Sequence, residues 1–178
     1  MTVMDKMNAG TRTVFNAIFD KEPVNFMECS SLYTIIMQGR YNLGTLECMY
    51  NQASDPDLRS LIKNALDITR DTVEQAENVM KSGGGDLPEG HFIRRELHSH
   101  PLEIHKDARM ADPEIVLGLA MMAKASQMAL LTALHQSYQL EVANLYRKRL
   151  DAGLDHNYRI MQLMLNRGWL PYLEKVEH

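Results

Sequence analysis

Three observations place this chain in the all-α class, as an up-down four-helix bundle built from two helical hairpins. Apolar residues recur at helical spacing along most of its length, and no run of Val, Ile or Thr alternates with polar residues long enough to specify a strand. The dipeptide Asp-Pro occurs at 55–56 and again at 112–113, each time ahead of a long apolar-periodic stretch. There a carboxylate can cap free amides, and proline can take the first helical position without losing a needed donor. Glycine closes the same two regions, as Gly83-Gly84-Gly85 and as Gly168.

The elements follow in order. Residues 1–30 form an N-terminal segment whose one amphipathic piece, Thr11 to Phe19, ends before Pro23 and is expected to be a short docking helix. The bundle proper spans 31–178. Its first long helix is expected from Ser31 to Asn51, with Leu32, Ile35, Ile36, Leu43, Leu46 and Tyr50 on one face and Gly39 among them. The second starts at Asp55-Pro56, carries the stripe Leu58, Leu61, Ile62, Ala65, Ile68, Thr72, Ala76 and Val79, and stops at the triple glycine, completing a hairpin over about 31–83. A histidine-rich connector occupies about 84–111. The second hairpin, about 112–168, pairs a helix from Asp112-Pro113 to about His135 with one from about Gln139 to Arg167.

The third helix is apolar almost all round, so it is expected either to be the most enclosed of the four or to face a partner subunit as well. On the fourth, Leu150, Leu154, Met161 and Leu165 define the apolar stripe. Gly168 then permits a left-handed turn, Trp169 can fold back as an apolar plug, and Pro171 prevents the helix from resuming. An offset of 84 residues pairs Leu61 with Leu145, Leu66 with Leu150, Asp71 with Asp155, Met80 with Met164 and Gly84 with Gly168. The stripes just read for the second and fourth helices do not share a rotational register under this offset, so the repeat rests on helix punctuation.

Composition narrows the function classes. A chain of 178 residues suits one domain around one core. With 45% hydrophobic and 24% charged residues it is expected to fold and to be soluble. A formal charge of −4 gives no phosphate-neutralising surface, which argues against nucleic acid as a partner. Cys29 and Cys48 are too few for a disulfide framework and the first residues lack a secretory pattern, so a cytoplasmic location is expected. Ile115 to Leu134 comes nearest to a membrane span. Lys124 at its centre, with Ser126, Gln127 and Thr132 after it, favours a buried bundle helix and no span.

Catalytic and metal templates fare poorly. Carboxylate-bridged di-metal bundles need inward glutamates and Glu-x-x-His pairs, and this sequence has no Glu-x-x-His. Asp67, Asp71 and Glu74 fall opposite the stripe of the second helix, where charges are solvated, and Asp151 and Asp155 lie well off that of the fourth. Glu47 alone lies near a core face, and is expected at the rim, reaching water or Arg40. In the connector, His98, His100, Glu103 and His105 could supply imidazoles and an oxygen to zinc or another borderline metal. The alternative is a solvated crossover lying along the bundle. Cys48 reads as a surface thiol without a partner base, and the triple glycine neither follows a strand nor leads into a lysine, so it is no phosphate cradle. No cofactor and no enzymatic activity are expected. The methionines, Met121, Met122 and Met128 among them, either fill core gaps or make an adaptable apolar surface.

The second hairpin resembles the spore coat protein F family. The residues that carry the likeness are Asp112-Pro113-Glu114-Ile115-Val116, the stretch from Ala125 to Ser137, and the tail Met161-x-x-Met164-x-x-x-Gly168-Trp169. The resemblance implies a ferritin-like helical bundle and a link to the coat of bacterial endospores. It implies a non-enzymatic structural or interaction protein of the mother-cell cytoplasm or spore coat, working through self-association or protein partners, with Trp169, Tyr172 and the third-helix methionines as anchors. The extra first hairpin departs from coat F and is similar to two-hairpin bacterial proteins of unknown function. A metal-binding bundle using Glu47 or the connector histidines, and a dimeric cytoplasmic helical regulator, are the alternatives.

Overall fold

A computed structural model describes residues 23–170. Among these residues there are four long α-helices and no strand: α1 (Phe26–Gln52), α2 (Pro56–Ser82), α3 (Asp112–His135) and α4 (Leu140–Arg167). The connector carries one 3-10 turn, Lys106–Ala108. The expected docking helix at Thr11 to Phe19, and Tyr172, lie outside the described residues.

Capping sets where each helix begins. α1 starts ahead of Ser31 because Asn25 Oδ1 accepts the Glu28 amide at 3.0 Å while Glu28 Oε2 accepts the Asn25 amide at 3.2 Å, a reciprocal capping box. The boundary expected at residue 30 therefore falls inside a helix. α2 starts as read, with Asp55 Oδ1 accepting the amides of Asp57 (2.8 Å) and Leu58 (3.0 Å) and Pro56 in the first turn. The second Asp-Pro behaves differently. Ala111 precedes α3 and its amide is taken by Glu114 Oε2 at 2.7 Å, whereas the Asp112 carboxylate turns away to accept the amides of Ser54 (2.8 Å) and Asp55 (3.0 Å).

The helices form a square in which α1 packs on α2 and α3, and α4 on α3 and α2. Neighbours are antiparallel: Ser31 bonds Gln136 and Asn42 bonds Ser126 across α1 and α3, while Asp71 meets Arg149 and Asp55 meets Arg167 across α2 and α4. The connector runs back along the bundle, so α2 and α3 point the same way. It lies in the groove between α1 and α2, pinned by polar groups. Glu47 Oε2 accepts the Arg95 amide at 2.8 Å, Asn51 bonds both Glu96 O (2.8 Å) and the His98 amide (2.9 Å), and the Arg59 guanidinium donates to His98 O. Glu47 is thus a buried strap residue facing Arg70 at 3.6 Å, not a rim carboxylate; Arg40 pairs with Glu77 instead.

Two apolar clusters fill the core. One gathers Leu46, Met49, Leu58, Ile62, Ile115, Leu119, Ile160 and Leu163, with Trp169 packed against it; the other gathers Leu32, Ile36, Val73, Met80, Leu130, Val142 and Tyr146. The Trp169 plug is set by Gly168, at φ 67°, and by the Trp169 amide donating to Met164 O at 2.9 Å. At Gly39 an added Cβ would lie 2.4 Å from Val73 Cγ2, so α1 and α2 approach closely only because no side chain stands there.

Two expectations about the second hairpin need correction. α3 is not the most enclosed helix: only Ile115, Val116, Leu119, Leu130 and Ala133 are buried, and Met121 is 67% exposed. On α4 the buried face is Val142, Leu145, Tyr146, Arg149, His156, Ile160, Leu163 and Met164, whereas Leu154, Met161 and Leu165 are exposed. The apolar residues of α4 cover two arcs, and the arc that packs also carries an arginine and a histidine, which disguise it in the sequence. With this face restored the 84-residue offset falls into register. It carries the buried Leu58, Ile62, Ala76 and Met80 of α2 onto the buried Val142, Tyr146, Ile160 and Met164 of α4, and Leu32, Leu46 and Met49 of α1 onto Val116, Leu130 and Ala133 of α3. Gly84 (φ 79°) and Gly168 (φ 67°) share the left-handed conformation under the same offset.

Candidate functional site

The repeat makes the two hairpins comparable residue by residue, and they differ most on their outer grooves. In the first hairpin Gly44, Glu47, Arg70 and Glu77 lie under the connector. The offset carries them onto Met128, Leu131, Leu154 and Met161, all exposed. Leu117, Met121, Tyr158 and Leu165 extend this bare surface. These eight apolar side chains are each more than a third exposed. Together they make a patch on the order of a few hundred Å², the size that marks interaction surfaces. Residues Lys106–His135 are also long and apolar enough, by length and composition, to cross a membrane. In the fold their helix packs into the bundle through Ile115, Val116 and Leu119.

The connector residues expected as metal ligands are not brought together. His98, His100, Glu103 and His105 are exposed. His98 serves the strap through its backbone, and His105 Nδ1 accepts the Asp107 amide at 3.4 Å. Among the described residues no three His, Cys, Asp or Glu side chains converge as a metal site would require.

The second feature lies at mid-bundle, between the two apolar clusters. Arg149 and His156 of α4 are 5% and 4% exposed. Arg149 Nη1 donates to Asp71, so that carboxylate is not simply solvated as its helical position predicts, and Arg149 Nε and Nη2 have no partner. His156 Nδ1 sits 3.0 Å from Asn64 Oδ1, and Arg159 Nη2 donates to that same oxygen at 2.7 Å. The arginine fixes the amide orientation, so Nδ1 carries the proton and Nε2 is a bare acceptor without a partner. Burial, and then the charge of Arg159, pull the His156 pKa down to about 4, leaving the ring neutral. Both side chains line a cavity of about 90 Å³ whose wall is mostly apolar. Helical periodicity alone does not mark them, because the other apolar arc of α4, Leu150, Leu154, Met161 and Leu165, reads as the core stripe. The signal that finds them is the seven-residue series Val142, Arg149, His156, Leu163.

Among the described residues, a helical bundle of two repeated hairpins, one groove strapped by the connector and the other bare and apolar, defines the class. The chain belongs to the family described as protein of unknown function DUF3231, whose model matches residues 13–172. It is similar to the uncharacterized protein YvdQ of Bacillus subtilis strain 168, with 23% identity over 150 residues, covering 84% of this chain and 86% of that one. Its fold matches the crystal structure of a Bacillus halodurans C-125 protein described as a "putative spore coat protein" (BH2358). The TM-score is 0.81 at 24% identity, over 88% of this chain and 98% of the other. At that identity the likeness establishes a shared fold.

Proposed function

We propose that this protein is a non-enzymatic structural component of the sporulating cell, associated with the endospore coat, and that it works by pairing with a second copy through the α3–α4 face. The observation that carries the proposal is the bare apolar groove on the second hairpin, set against its strapped counterpart on the first. Glu47, itself paired with Arg70, and Asn51 hold an extended segment by its backbone; the counterparts Leu131, Leu154 and His135 offer no such pins. An apolar helical face suits another helical face, and a two-fold pairing of identical faces closes after two copies. The coat F resemblance and the spore-coat description of the Bacillus halodurans neighbour support the setting. The two hairpins joined by one long crossover support a ferritin-like reading of the bundle.

Sedimentation of the purified protein tests the mechanism. Wild type is expected to run as a dimer, and Leu154→Glu as a helical monomer. A wild-type monomer at high micromolar concentration, or a face that partitions into lipid vesicles without self-association, would refute it. A fluorescent fusion tests the setting: it should accumulate in sporulating mother cells and concentrate around the forespore. An unchanged level and position in vegetative cells would leave the reading of a dimeric cytoplasmic regulator in its place.

A further inference from the structure

We infer that the α3–α4 groove has an occupant within the same chain: residues 1–22, which lie outside the described structure, dock on it through a helix over Thr11 to Phe19. They take the place that the connector takes on α1–α2. Segment and second copy then exclude each other on one face, a consequence that rests on the dimer reading of that face.

The internal repeat points to this placement. The 84-residue offset carries residues 1–22 onto 85–106, which belong to the connector. It also relates the two points of arrival. The connector reaches α3 beside the α1–α2 turn, where Asp112 accepts the amides of Ser54 and Asp55. The chain reaches α1 beside the α3–α4 turn, where Glu28 accepts the amides of Tyr138 and Gln139. Gln139 Nε2 donates to Pro23 O at 2.9 Å, which ties the residues just ahead of α1 to that turn. Residues 1–22 therefore depart from the mouth of the bare groove, as the connector ends at the mouth of the strapped one.

The two grooves ask different things of an occupant. The connector is extended, so its amides and carbonyls need outside partners, and Glu47 and Asn51 supply them. A helix satisfies its own backbone and needs only an apolar strip. Met128, Leu131 and Leu154 present such a strip. Tyr138 and Leu140, 84% and 47% exposed, flank the Gln139 that holds Pro23, so apolar surface continues to the point of departure. On the segment, Val14, Phe15, Ile18 and Phe19 share one helical face, with Arg12, Asn16 and Asp20 on the other. A helix of about nine residues does not hold alone in water, so it needs a face to pack on. Among the described residues the other two seams of the square are laced by polar pairs, Ser31 with Gln136 and Asn42 with Ser126 on one, Asp71 with Arg149 and Asp55 with Arg167 on the other.

Lysine cross-linking of the full chain in dilute solution, with isotopically heavy and light copies mixed and the products read by mass spectrometry, tests the docking. The offset carries Gly90 and Arg40, which line one pocket under the connector, onto Lys6 and Lys124. Lys6 should therefore be joined to Lys124, with both ends heavy or both light. No such link, or a link dominated by mixed pairs, would overturn the docking, and this arm needs no variant. The double variant Phe15→Asp, Ile18→Asp in the full chain should lose the link. If the segment covers the groove in roughly nine molecules of ten, the same variant should also dimerise about tenfold more tightly by sedimentation. A folded variant that keeps the link, or that pairs no more tightly than a dimeric wild type, would refute the exclusion. A link within one chain in a protein that never dimerises, variant included, would uphold the docking and defeat the dimer reading; a dimer without the link would do the reverse.

Discussion

Glu28 and Asp112, which stand 84 residues apart, perform the same task on opposite ends of the bundle. Glu28 Oε1 accepts the amides of Tyr138 (2.8 Å) and Gln139 (2.7 Å) just ahead of α4, and Asp112 accepts those of Ser54 (2.8 Å) and Asp55 (3.0 Å) just ahead of α2. The two accepting pairs obey the same offset. Each hairpin thus lends a carboxylate from its first helix to start the second helix of the other, where a negative charge meets free amides at a helix N-terminus. The hairpins are stitched reciprocally.

Removing either stitch should destabilise the fold, and Glu28 should matter more. It is 1% exposed and also accepts two bonds from Asn25, so Glu28→Ala leaves several buried donors unmet. A loss of about 3 kcal/mol is expected for Glu28→Ala and about 1 kcal/mol for the more exposed Asp112→Ala. Urea unfolding measures both. Because the stitches lie at opposite ends, the double variant should lose close to the sum.

Gly39→Ala should destabilise despite the better helix propensity of alanine. The new methyl would sit 2.4 Å from Val73 Cγ2, so α1 and α2 must separate. A loss of about 1–3 kcal/mol is expected, with part of it recovered in the Gly39→Ala, Val73→Ala double variant. A stabilised single variant would show that the two helices do not meet there.

Gly84→Ala and Gly168→Ala test the two helix stops by conformation alone. Both glycines have positive φ and nothing within 4 Å of an added Cβ. Each substitution should cost about 1 kcal/mol through strain in the left-handed region. Thermal unfolding should show closely similar losses for the two.

His156 should govern stability in mildly acid solution. Its pKa in the fold is about 4, below the ordinary 6.5, so the unfolded chain takes up the proton first as pH falls. Its contribution is complete above about pH 6.5 and drains away as pH falls to 4, by at most about 3 kcal/mol. His156→Gln should flatten the stability profile over that window relative to wild type. Asp55 acts lower on the scale. Burial pushes its carboxyl up, but the bond from Arg167 and those from the amides of Leu58 and Asp57 outweigh burial and hold it below the usual carboxylate range. Its stabilisation is present above the ordinary aspartate pKa and is lost as pH falls through the lowered one. Arg167→Gln should therefore make the acid limb shallower, which denaturation at successive pH values will show.

Much of the bundle was legible because local chemistry specifies it. Asp55-Pro56 starts α2, the triple glycine ends it, and Gly168-Trp169 closes α4, each through bonds within a few residues. The candidate sites were less legible. The outer face of α3–α4 could not be separated from core, since Met121 or Leu154 has the same composition whether it faces a neighbour or solvent. Arg149 and His156 are hard to place from sequence because polar, ionisable side chains on a packing face run against the usual partition of such groups.

The sequence by itself determined four long helices, most of their punctuation and their pairing into two hairpins, because capping and helical periodicity act over a single turn. Only the tertiary structure decided which of the two apolar arcs of α4 is inside, that the connector covers one groove and leaves the other bare, and that Glu28 and Asp112 exchange partners. Those choices depend on contacts between residues about 50 to 110 positions apart. Local periodicity does not reach across such separations, and there buried polar pins such as the Glu28 and Glu47 carboxylates fix one arrangement.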